Sequence, residues 1–487
     1  MAIWVNESPK YTTYPIPEFI GNPLIEALAP MPLDRDDGIC QLSEQPTFDP
    51  MERDLPASMR MYLPARLSRF LFPTTQHVRF LNHLCVQVYD GYVFRNPLTP
   101  EGQYLLHNAG SPVERSVPVI DCGTGRLSTI SMVCGLSGMG KSTLIRGCMR
   151  VLGKPVIRHS NYHGEPFPET QILYLMRNVP DQCTPKAFCK TYGDYTDALL
   201  GMPLYAKFFA DKSMTRNHYL SQLQRIIASH HVGALILDCV ENLLLAGPSG
   251  VKEFVAMLIN MRDELKVPII LVGTYKAAEI LKTDMSTARR LVEGGFHELK
   301  RPANECDIDF SALCEVLWEY QWVRRPIVFG DDSDPVKAKI KEVLFDCSQG
   351  ITGILITLFI AAQIEAIDSG RETVDVNLIR SVYAERFKPL HRIINAIRSN
   401  KSGQLDQFDD LYLRAFSELK SDPLVSRIDE IRNQLAASQE RNLGISPASE
   451  EPQTVTDVTS ESGFPQTTEA LLAAVRMGSS QVPTEIA

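Results

Sequence analysis

One short segment constrains the fold of this chain more than any other. Residues 135–142 read Gly-Leu-Ser-Gly-Met-Gly-Lys-Ser, which matches the pattern GxxxxGK[ST] at every fixed position. A strand-like apolar run, Leu127–Cys134, precedes the segment, and a helical stretch, Ser142–Val151, follows it. A strand, a glycine-rich turn and a helix in that order are typical of a phosphate-binding loop. This context favours a nucleotide site over the alternative, a glycine-rich turn that matches by chance.

The residue types in the loop explain how it would hold a triphosphate. Glycines let successive backbone N–H groups point at one phosphate, and the following helix adds its positive N-terminal end. Lys141 offers a cation to the β- and γ-phosphates, and Ser142 offers a hydroxyl ligand for Mg²⁺. We therefore predict ATP and Mg²⁺ as cofactors. The predicted cofactor-binding residues are Gly135, Ser137, Gly138, Met139, Gly140, Lys141, Ser142 and Thr143.

Three further apolar runs resemble buried strands. They are Ile172–Met176, Ala234–Leu237 and Pro268–Val272, and helical stretches such as His218–Ser229 lie between them. Strands that alternate with helices predict an α/β fold, with a parallel sheet covered by helices on both faces.

A carboxylate at the end of one of these strands is the candidate partner of the metal. Asp238 follows Ala234–Leu237, which places it at the carboxyl edge of the sheet, where ligands bind in open α/β sheets. The alternative is an ordinary aspartate at a strand end. We predict Ser142 and Asp238 as metal ligands, and Asp238 also as a catalytic residue.

The residue after Asp238 departs from the usual pattern of AAA+ ATPases. Many of them place a glutamate there to activate the attacking water, whereas this chain has Cys239. A thiol is a poor general base. Glu241 would point to the same side as Cys239 if the backbone stayed extended, and it is the candidate replacement. Without such a replacement, we expect ATP hydrolysis to be slow, with nucleotide serving mainly as an assembly signal.

Two further features complete the predicted catalytic set. Thr274 follows the strand-like run Pro268–Val272 by two residues, where its hydroxyl would bond the γ-phosphate or the attacking water; alternatively it caps the helix at Lys276–Leu281. Arg289 and Arg290 follow, and either suits an arginine finger that acts on a neighbouring subunit. The alternative for the pair is a solvated basic patch.

The texture of the chain suggests four regions. Residues 1–75, rich in proline and turn formers, predict an extended N-terminal arm, and 76–306 a nucleotide-binding α/β core with a helical lead-in. Residues 307–438 predict a helical lid and C-terminal helices. Residues 439–487 hold seven acidic and two basic residues, and this composition predicts a disordered acidic tail. Its one apolar patch, 470–475, is either a partner-binding motif or a stray cluster.

Composition excludes several classes of protein. A net charge of -9 argues against histone-like binding to nucleic acid by the whole chain, although not against a local basic groove. Eleven cysteines with no CxxC pair argue against a zinc ribbon. The N-terminus lacks a signal-peptide layout and Ile351–Ile367 is too short to span a membrane, so we expect a cytoplasmic protein with no membrane partner.

Several segments together resemble TnsC, the AAA+ regulator of cut-and-paste transposons. They include Asn22–Leu28, Gly91–Pro97, Val272–Ile280 with Ser286–Arg290, and Ser348–Gly350 with the apolar helix that follows. The resemblance covers about residues 20–400. It implies a P-loop AAA+ fold with a helical lid. As in many members of that family, no arginine stands near Gly350, where other AAA+ proteins carry a second sensor.

The resemblance implies an ATPase that forms rings or filaments on double-stranded DNA. Such proteins link a target selector of the TnsD or TniQ type to transposase subunits of the TnsA and TnsB type. In a ring, a few basic residues per subunit add up, so an acidic chain still binds phosphates. The candidates are Lys186, Lys190, Lys212 and Arg216, for each of which a solvated surface is the alternative. Two other functions stay open: a P-loop signalling or defence switch without DNA, and a fast motor or loader, which Cys239 disfavours.

Overall fold

The structure is a computed structural model of the chain. It describes residues 3–109, 128–181, 184–210, 215–282 and 285–399. The predicted helical stretch 403–438 and the tail 439–487 lie outside the described residues.

The segment before the nucleotide-binding core is built of short helices and one long helix. Two 3-10 helices, Pro50–Asp54 and Leu63–Arg69, flank the third of the short α-helices. The elements in chain order are β1 (Val5–Asn6), α1 (Pro23–Glu26), α2 (Arg35–Leu42), α3 (Ala57–Arg60), α4 (Thr75–Val93) and α5 (Pro100–Asn108).

The core alternates strands and helices, as predicted. Two 3-10 helices lie in it, at Val240–Ala246 and Tyr275–Lys282. The elements in chain order are β2 (Ile130–Gly135), α6 (Lys141–Leu152), β3 (Val156–Arg158), β4 (Asn161–Tyr162), β5 (Glu165–Pro166), β6 (Thr170–Ile172), β7 (Tyr174–Asn178), α7 (Pro185–Leu200), α8 (Tyr205–Ala210), α9 (Arg216–Ser229), β8 (Ala234–Asp238), α10 (Gly247–Leu265), β9 (Ile269–Gly273), α11 (Met285–Leu291) and β10 (Phe296–Leu299).

Five strands form one parallel sheet in the order β10-β2-β9-β8-β7. The strand that leads into the phosphate loop, β2, therefore lies beside β9, and β9 separates it from β8. All three of these strands are buried along their whole length, which is why they read as continuous apolar runs in the sequence. The predicted α/β fold, a parallel sheet flanked by helices with the glycine-rich loop after β2, is confirmed.

Side chains of the central strands alternate between two hydrophobic clusters, one on each face of the sheet. Leu235 and Leu237 belong to the cluster under α7, α9 and α10, whereas Ile236 between them belongs to the cluster under α4 and α6. Successive side chains of a strand point to opposite faces, so both faces need helices to cover them. The helical lead-in α4 and the helix after the phosphate loop, α6, cover the second face.

The N-terminal segment packs against the rest of the chain, where an extended arm was predicted. Leu24 and Ile25 are fully buried in the α4 and α6 cluster, and Leu67 is buried in the hydrophobic core of the lid. The guanidinium of Arg60 donates to both carboxylate oxygens of Glu372 at 2.7 and 2.5 Å. The partners in these contacts are far apart in the sequence. The irregular sequence of the segment therefore has no periodic pattern that would indicate its burial.

The described part of the lid is helical, as predicted from residue 307 onward. A third hydrophobic cluster fills it, with Trp322 and Phe359 fully buried. Its elements are α12 (Ile308–Glu319), α13 (Pro335–Ser348), α14 (Thr352–Asp368), α15 (Val376–Arg386), a 3-10 helix (Lys388–Leu390) and α16 (His391–Ser399).

One described helical stretch, Val240–Leu265, has the length and apolar composition of a membrane span. Part of that stretch packs into the core, with Phe254 and Leu258 buried against the sheet. Core helices of globular proteins meet the same criterion, so this is weak evidence for a membrane segment.

Candidate functional site

The phosphate loop connects β2 to α6 with two glycines in left-handed backbone conformation. Gly138 has φ +84° and Gly140 has φ +79°, values that side-chain-bearing residues adopt only with strain. The helix α6 begins at Lys141 directly after Gly140, so its unpaired N–H groups face the loop. The ammonium of Lys141 donates to the backbone carbonyls of Gly135 at 3.0 Å and Leu136 at 2.9 Å. The loop therefore combines left-handed glycines with a following helix N-terminus, as is typical of phosphate-binding loops.

The two predicted metal ligands are in contact. The hydroxyl of Ser142 donates to Oδ2 of Asp238 at 2.5 Å, across 96 residues of sequence. Oδ1 of Asp238 accepts the backbone N–H of Cys239 at 2.9 Å, which fixes the orientation of the carboxylate. Mg²⁺ prefers oxygen ligands of this kind beside substrate phosphates. The residues present therefore fit a magnesium ion held by Ser142 and Asp238.

Glu241 reaches the site by a different route from the one predicted. The extended backbone that was assumed after Asp238 is absent, because Cys239 adopts a left-handed conformation (φ 55°) and a 3-10 helix follows. This turn brings Oε2 of Glu241 to 3.1 Å from the backbone N–H of Thr274, which donates to it. Glu241 is thereby anchored between the ends of β8 and β9, on the edge of the sheet that carries Asp238.

Cys239 is poorly suited to act as a base in this environment. Burial raises the pKa of its thiol, and the negative charges of Asp238 and Glu241 raise it further. The thiol therefore stays protonated at neutral pH, so a proton acceptor has to come from another residue or from the substrate.

The hydroxyl of Thr274 is one of several buried side-chain polar atoms that have no hydrogen-bond partner among the described residues. The residue is only 6% exposed, and its hydroxyl has no hydrogen-bond partner among the described residues. The hydroxyl therefore does not cap the 3-10 helix that follows. A buried polar atom without a partner is costly. This orphaned hydroxyl at the end of β9, the strand between β2 and β8, fits a phosphate or water bound at that edge.

The other predicted residues are spread over the surface. Arg289 and Arg290 both lie on α11 and are exposed, and no described contact joins either of them to the Ser142 and Asp238 pair of their own chain. Lys186 lies over the ring of Tyr219 at 4.8 Å, and Lys190 is exposed one helical turn later on α7. Lys212 lies outside the described residues. Arg216 begins α9, and its side chain is not described.

The central part of the chain matches one protein-family model. Residues 124–300 match the family model described as bacterial TniB protein. This is a family of P-loop ATPases associated with transposition, similar to TnsC. The predicted resemblance to such an ATPase is thereby confirmed for the TniB-like segment, whereas the narrower name TnsC stays a prediction. No curated protein matches the chain.

Three solved structures are similar to the chain at low identity. The ORC1 protein of Aeropyrum pernix, solved in complex with DNA, is 14% identical with a TM-score of 0.37; the match covers 60% of this chain and 66% of that one. A Walker-type ATPase of Pyrococcus abyssi is 15% identical (TM-score 0.36, 57% and 73% covered). PCH-2 of C. elegans is 11% identical (TM-score 0.31, 69% and 72% covered).

The sequence analysis missed one residue, Asp181, and one strand, β10, near the site. Asp181 contributes to the raised pKa of the Cys239 thiol, and its carboxylate accepts from the Asn242 side chain at 3.3 Å. The strand β10 pairs with β2 and brings Leu299 against Gly135, where a Cβ atom would lie 2.9 Å from the Leu299 carbonyl oxygen. Neither feature has a local pattern: Asp181 follows a strand by three residues, and β10 has only one buried residue.

Proposed function

We propose that this chain is an ATP-dependent, DNA-binding AAA+ regulator of transposition. In this proposal it binds ATP and Mg²⁺, assembles on double-stranded DNA, and links a target selector to the transposase. The observation that carries the nucleotide part is the 2.5 Å contact between Ser142 and Asp238, which joins the phosphate loop to the acidic strand end. The TniB match over residues 124–300 supports the link to transposition.

The site residues have distinct roles in the proposed ATPase. The backbone of Gly138 and Gly140 with the start of α6 would bind the phosphates, and Lys141 would exchange its two carbonyl contacts for phosphate oxygens. Ser142 and Asp238 would hold Mg²⁺, which supplies neutralisation of phosphate charge when it is bound. The hydroxyl of Thr274 would gain the partner it lacks.

Hydrolysis depends on the carboxylate of Glu241 in this proposal. Its Oε2 accepts the backbone N–H of Thr274, directly after β9, and this bond holds the carboxylate at the carboxyl edge of the sheet. That hydrogen bond orients the group and leaves acceptor sites on both of its oxygens for a water. Because Cys239 stands where many AAA+ ATPases have the glutamate that activates water, we propose slow hydrolysis, with ATP acting mainly to hold subunits together.

Assembly and DNA binding rest on surface cations, of which Lys186 is half-buried and the others are exposed. Arg289 and Arg290 on α11 are proposed to act on the ATP of a neighbouring subunit, since both are exposed to solvent on their own chain. Lys186 and Lys190 lie four residues apart on α7 and therefore share one face of that helix. Repeated around a ring, this face would present a basic row to the DNA backbone. Target selectors, transposase subunits and a cytoplasmic setting are further parts of the proposal.

The decisive experiment is electron microscopy with sedimentation of the full chain. Samples contain a non-hydrolysable ATP analogue or no nucleotide, each with and without duplex DNA. The proposal expects rings or filaments that require the analogue and that become more abundant with DNA. Nucleotide-dependent oligomers that ignore DNA would favour the signalling switch, and a monomer under all four conditions would refute the proposal.

A further inference from the structure

The turn between α13 and α14 brings the lid into direct contact with the phosphate loop. The backbone N–H of Gly353, in the first turn of α14, donates to the carbonyl of Gly138 at 2.8 Å. Ile351 at the start of the same helix contacts Gly138 and belongs to the hydrophobic cluster that also contains Met139 of the loop. The hydrogen bond joins two segments that are far apart in the sequence, and it uses backbone atoms on both sides.

This approach is so close that a Cβ atom on Gly138 would force a shift, and one on Gly353 would need its neighbour to give by a few tenths of an ångström. A Cβ atom on Gly353 would lie 3.0 Å from the Gly138 carbonyl oxygen and 3.3 Å from its Cα atom. A Cβ atom on Gly138 would lie 2.9 Å from Cγ2 of Ile351. The atoms that Gly353 would meet are backbone atoms of the phosphate loop, so they cannot turn aside as a flexible side chain does. Any residue larger than glycine at 353 must shift the loop or the lid.

The turn between α13 and α14 also contacts the segment that follows β10. Gly350 has φ +75°, and a Cβ atom there would lie 2.8 Å from the ring of Pro302, three residues after that strand. The guanidinium of Arg301 donates to the carbonyl of Gln349 at 3.4 Å. Because β10 pairs with β2, the strand that leads into the phosphate loop, the turn contacts both the loop and the segment that follows the neighbouring strand.

The helix α14 connects this contact to the hydrophobic core of the lid. Gln363 on α14 accepts the backbone N–H of Trp322 at 2.9 Å and donates to the carbonyl of Tyr320 at 3.0 Å. Both bonds are buried, and Gln363 is fully inaccessible to solvent. A shift of the first turn of α14 therefore moves a packed, hydrogen-bonded lid core and not a single helix end.

We propose that Gly353 is a positioning residue for the nucleotide, through which the lid holds the phosphate loop at Gly138. The inference rests on the proposed ATP site. The first turn of α14 contains no arginine or lysine, so the lid meets the loop here through its backbone and not through a charged side chain. Nucleotide binding and lid position are therefore coupled through this N–H to carbonyl contact, beside which Ile351 packs on Gly138.

The test is Gly353→Ala in the full chain, with Gly330→Ala as the matched control. Gly330 lies in the same lid, but it is exposed and its added Cβ would meet only the side chain of Asp334. Alanine is a better helix former than glycine, so if the contact with Gly138 did not matter, the melting temperature would be unchanged or higher and nucleotide affinity unchanged. We expect Gly353→Ala to weaken the affinity for an ATP analogue about fivefold, the lower end of usual site-to-site coupling.

Hydrogen exchange supplies the second readout. Adding the ATP analogue to the wild-type chain should slow amide exchange across 350–357, and the change should be lost in Gly353→Ala while Gly330→Ala keeps it. Affinity within twofold of wild type together with a retained exchange response in Gly353→Ala would overturn the inference. A wild-type chain that binds no nucleotide would instead overturn the proposed function, so the two failures are distinguishable.

Discussion

The unpartnered hydroxyl of Thr274 gives a prediction in which stability and activity change in opposite directions. Thr274→Val replaces the hydroxyl with a methyl group of similar size at a position that is 6% exposed. Because the hydroxyl has no hydrogen-bond partner among the described residues, its removal gives up no protein contact. A buried polar group without a partner costs about 1–3 kcal/mol, so we expect the ligand-free variant to be more stable by about 1 kcal/mol or more.

The same substitution should impair ATP hydrolysis. If the hydroxyl bonds the γ-phosphate or the attacking water in the transition state but not in the ground state, its loss removes one hydrogen bond to a charged group, worth about 1.5–3 kcal/mol. This corresponds to roughly 10- to 160-fold slower single-turnover hydrolysis. The two measurements are urea unfolding of the ligand-free protein and phosphate release from pre-bound ATP.

Thr196→Val is the matched control. Thr196 is fully buried, and its hydroxyl donates to the carbonyl of Tyr192 at 2.9 Å. The control should lose about 0.5–1.5 kcal/mol of stability with hydrolysis nearly unchanged. If Thr274→Val were destabilised as much as the control, the hydroxyl would have a structural partner, and the proposed contact with nucleotide would be refuted.

Four other changes test separate parts of the molecule. Lys141→Ala should abolish nucleotide-dependent assembly in sedimentation, and oligomers that still form with ATP would exclude the phosphate loop as their cause. Cys239→Glu should speed phosphate release if a missing base limits turnover, and no gain would leave that task to another group. Arg60→Met should destabilise the chain by up to about 3–5 kcal/mol in urea unfolding, because the Glu372 carboxylate, whose side chain is 13% exposed, loses the guanidinium and keeps the backbone N–H of Arg324. An effect below about 1 kcal/mol would mean that water reaches the carboxylate. Burial lowers the pKa of His159 to about 4, below its usual 6.5. The stability that the neutral ring contributes is therefore complete above pH 6.5, and about 3 kcal/mol of it is lost as pH falls toward 4. A His159→Gln variant should lack that part of the pH dependence.

The features of the fold that the sequence predicts are those with a local cause. The central strands β8 and β9 are continuous apolar runs because helices cover both faces of the sheet, and their predicted limits agree with the structure within about a residue. The start of α6 at Lys141 follows from the glycines that precede it. By contrast, β10 is four residues long and mostly half-buried, so neither periodicity nor a run of apolar residues marks it.

Features that depend on tertiary contact were not predictable in this way. The burial of Leu24, Ile25 and Leu67 depends on partners far along the chain, so an extended arm was the expectation for the N-terminal segment. The left-handed conformation of Cys239 is rare for a residue with a side chain, and an extended backbone is the ordinary expectation after a strand. That one residue decides where Glu241 lies.

The backbone conformation of Cys239 links the missing glutamate at that position to the location of Glu241. The left-handed turn at Cys239 bends the chain so that Glu241 bonds the backbone N–H of Thr274. A glutamate at position 239 would have to adopt the same strained turn, or else straighten it and release Glu241 from β9. Cys239→Glu thus changes two groups at once, and the double variant Cys239→Glu with Glu241→Gln separates them. If Glu241 is the carboxylate that activates water, Glu241→Gln alone should stop hydrolysis. The double variant should recover hydrolysis only if the carboxylate introduced at position 239 can take over that role.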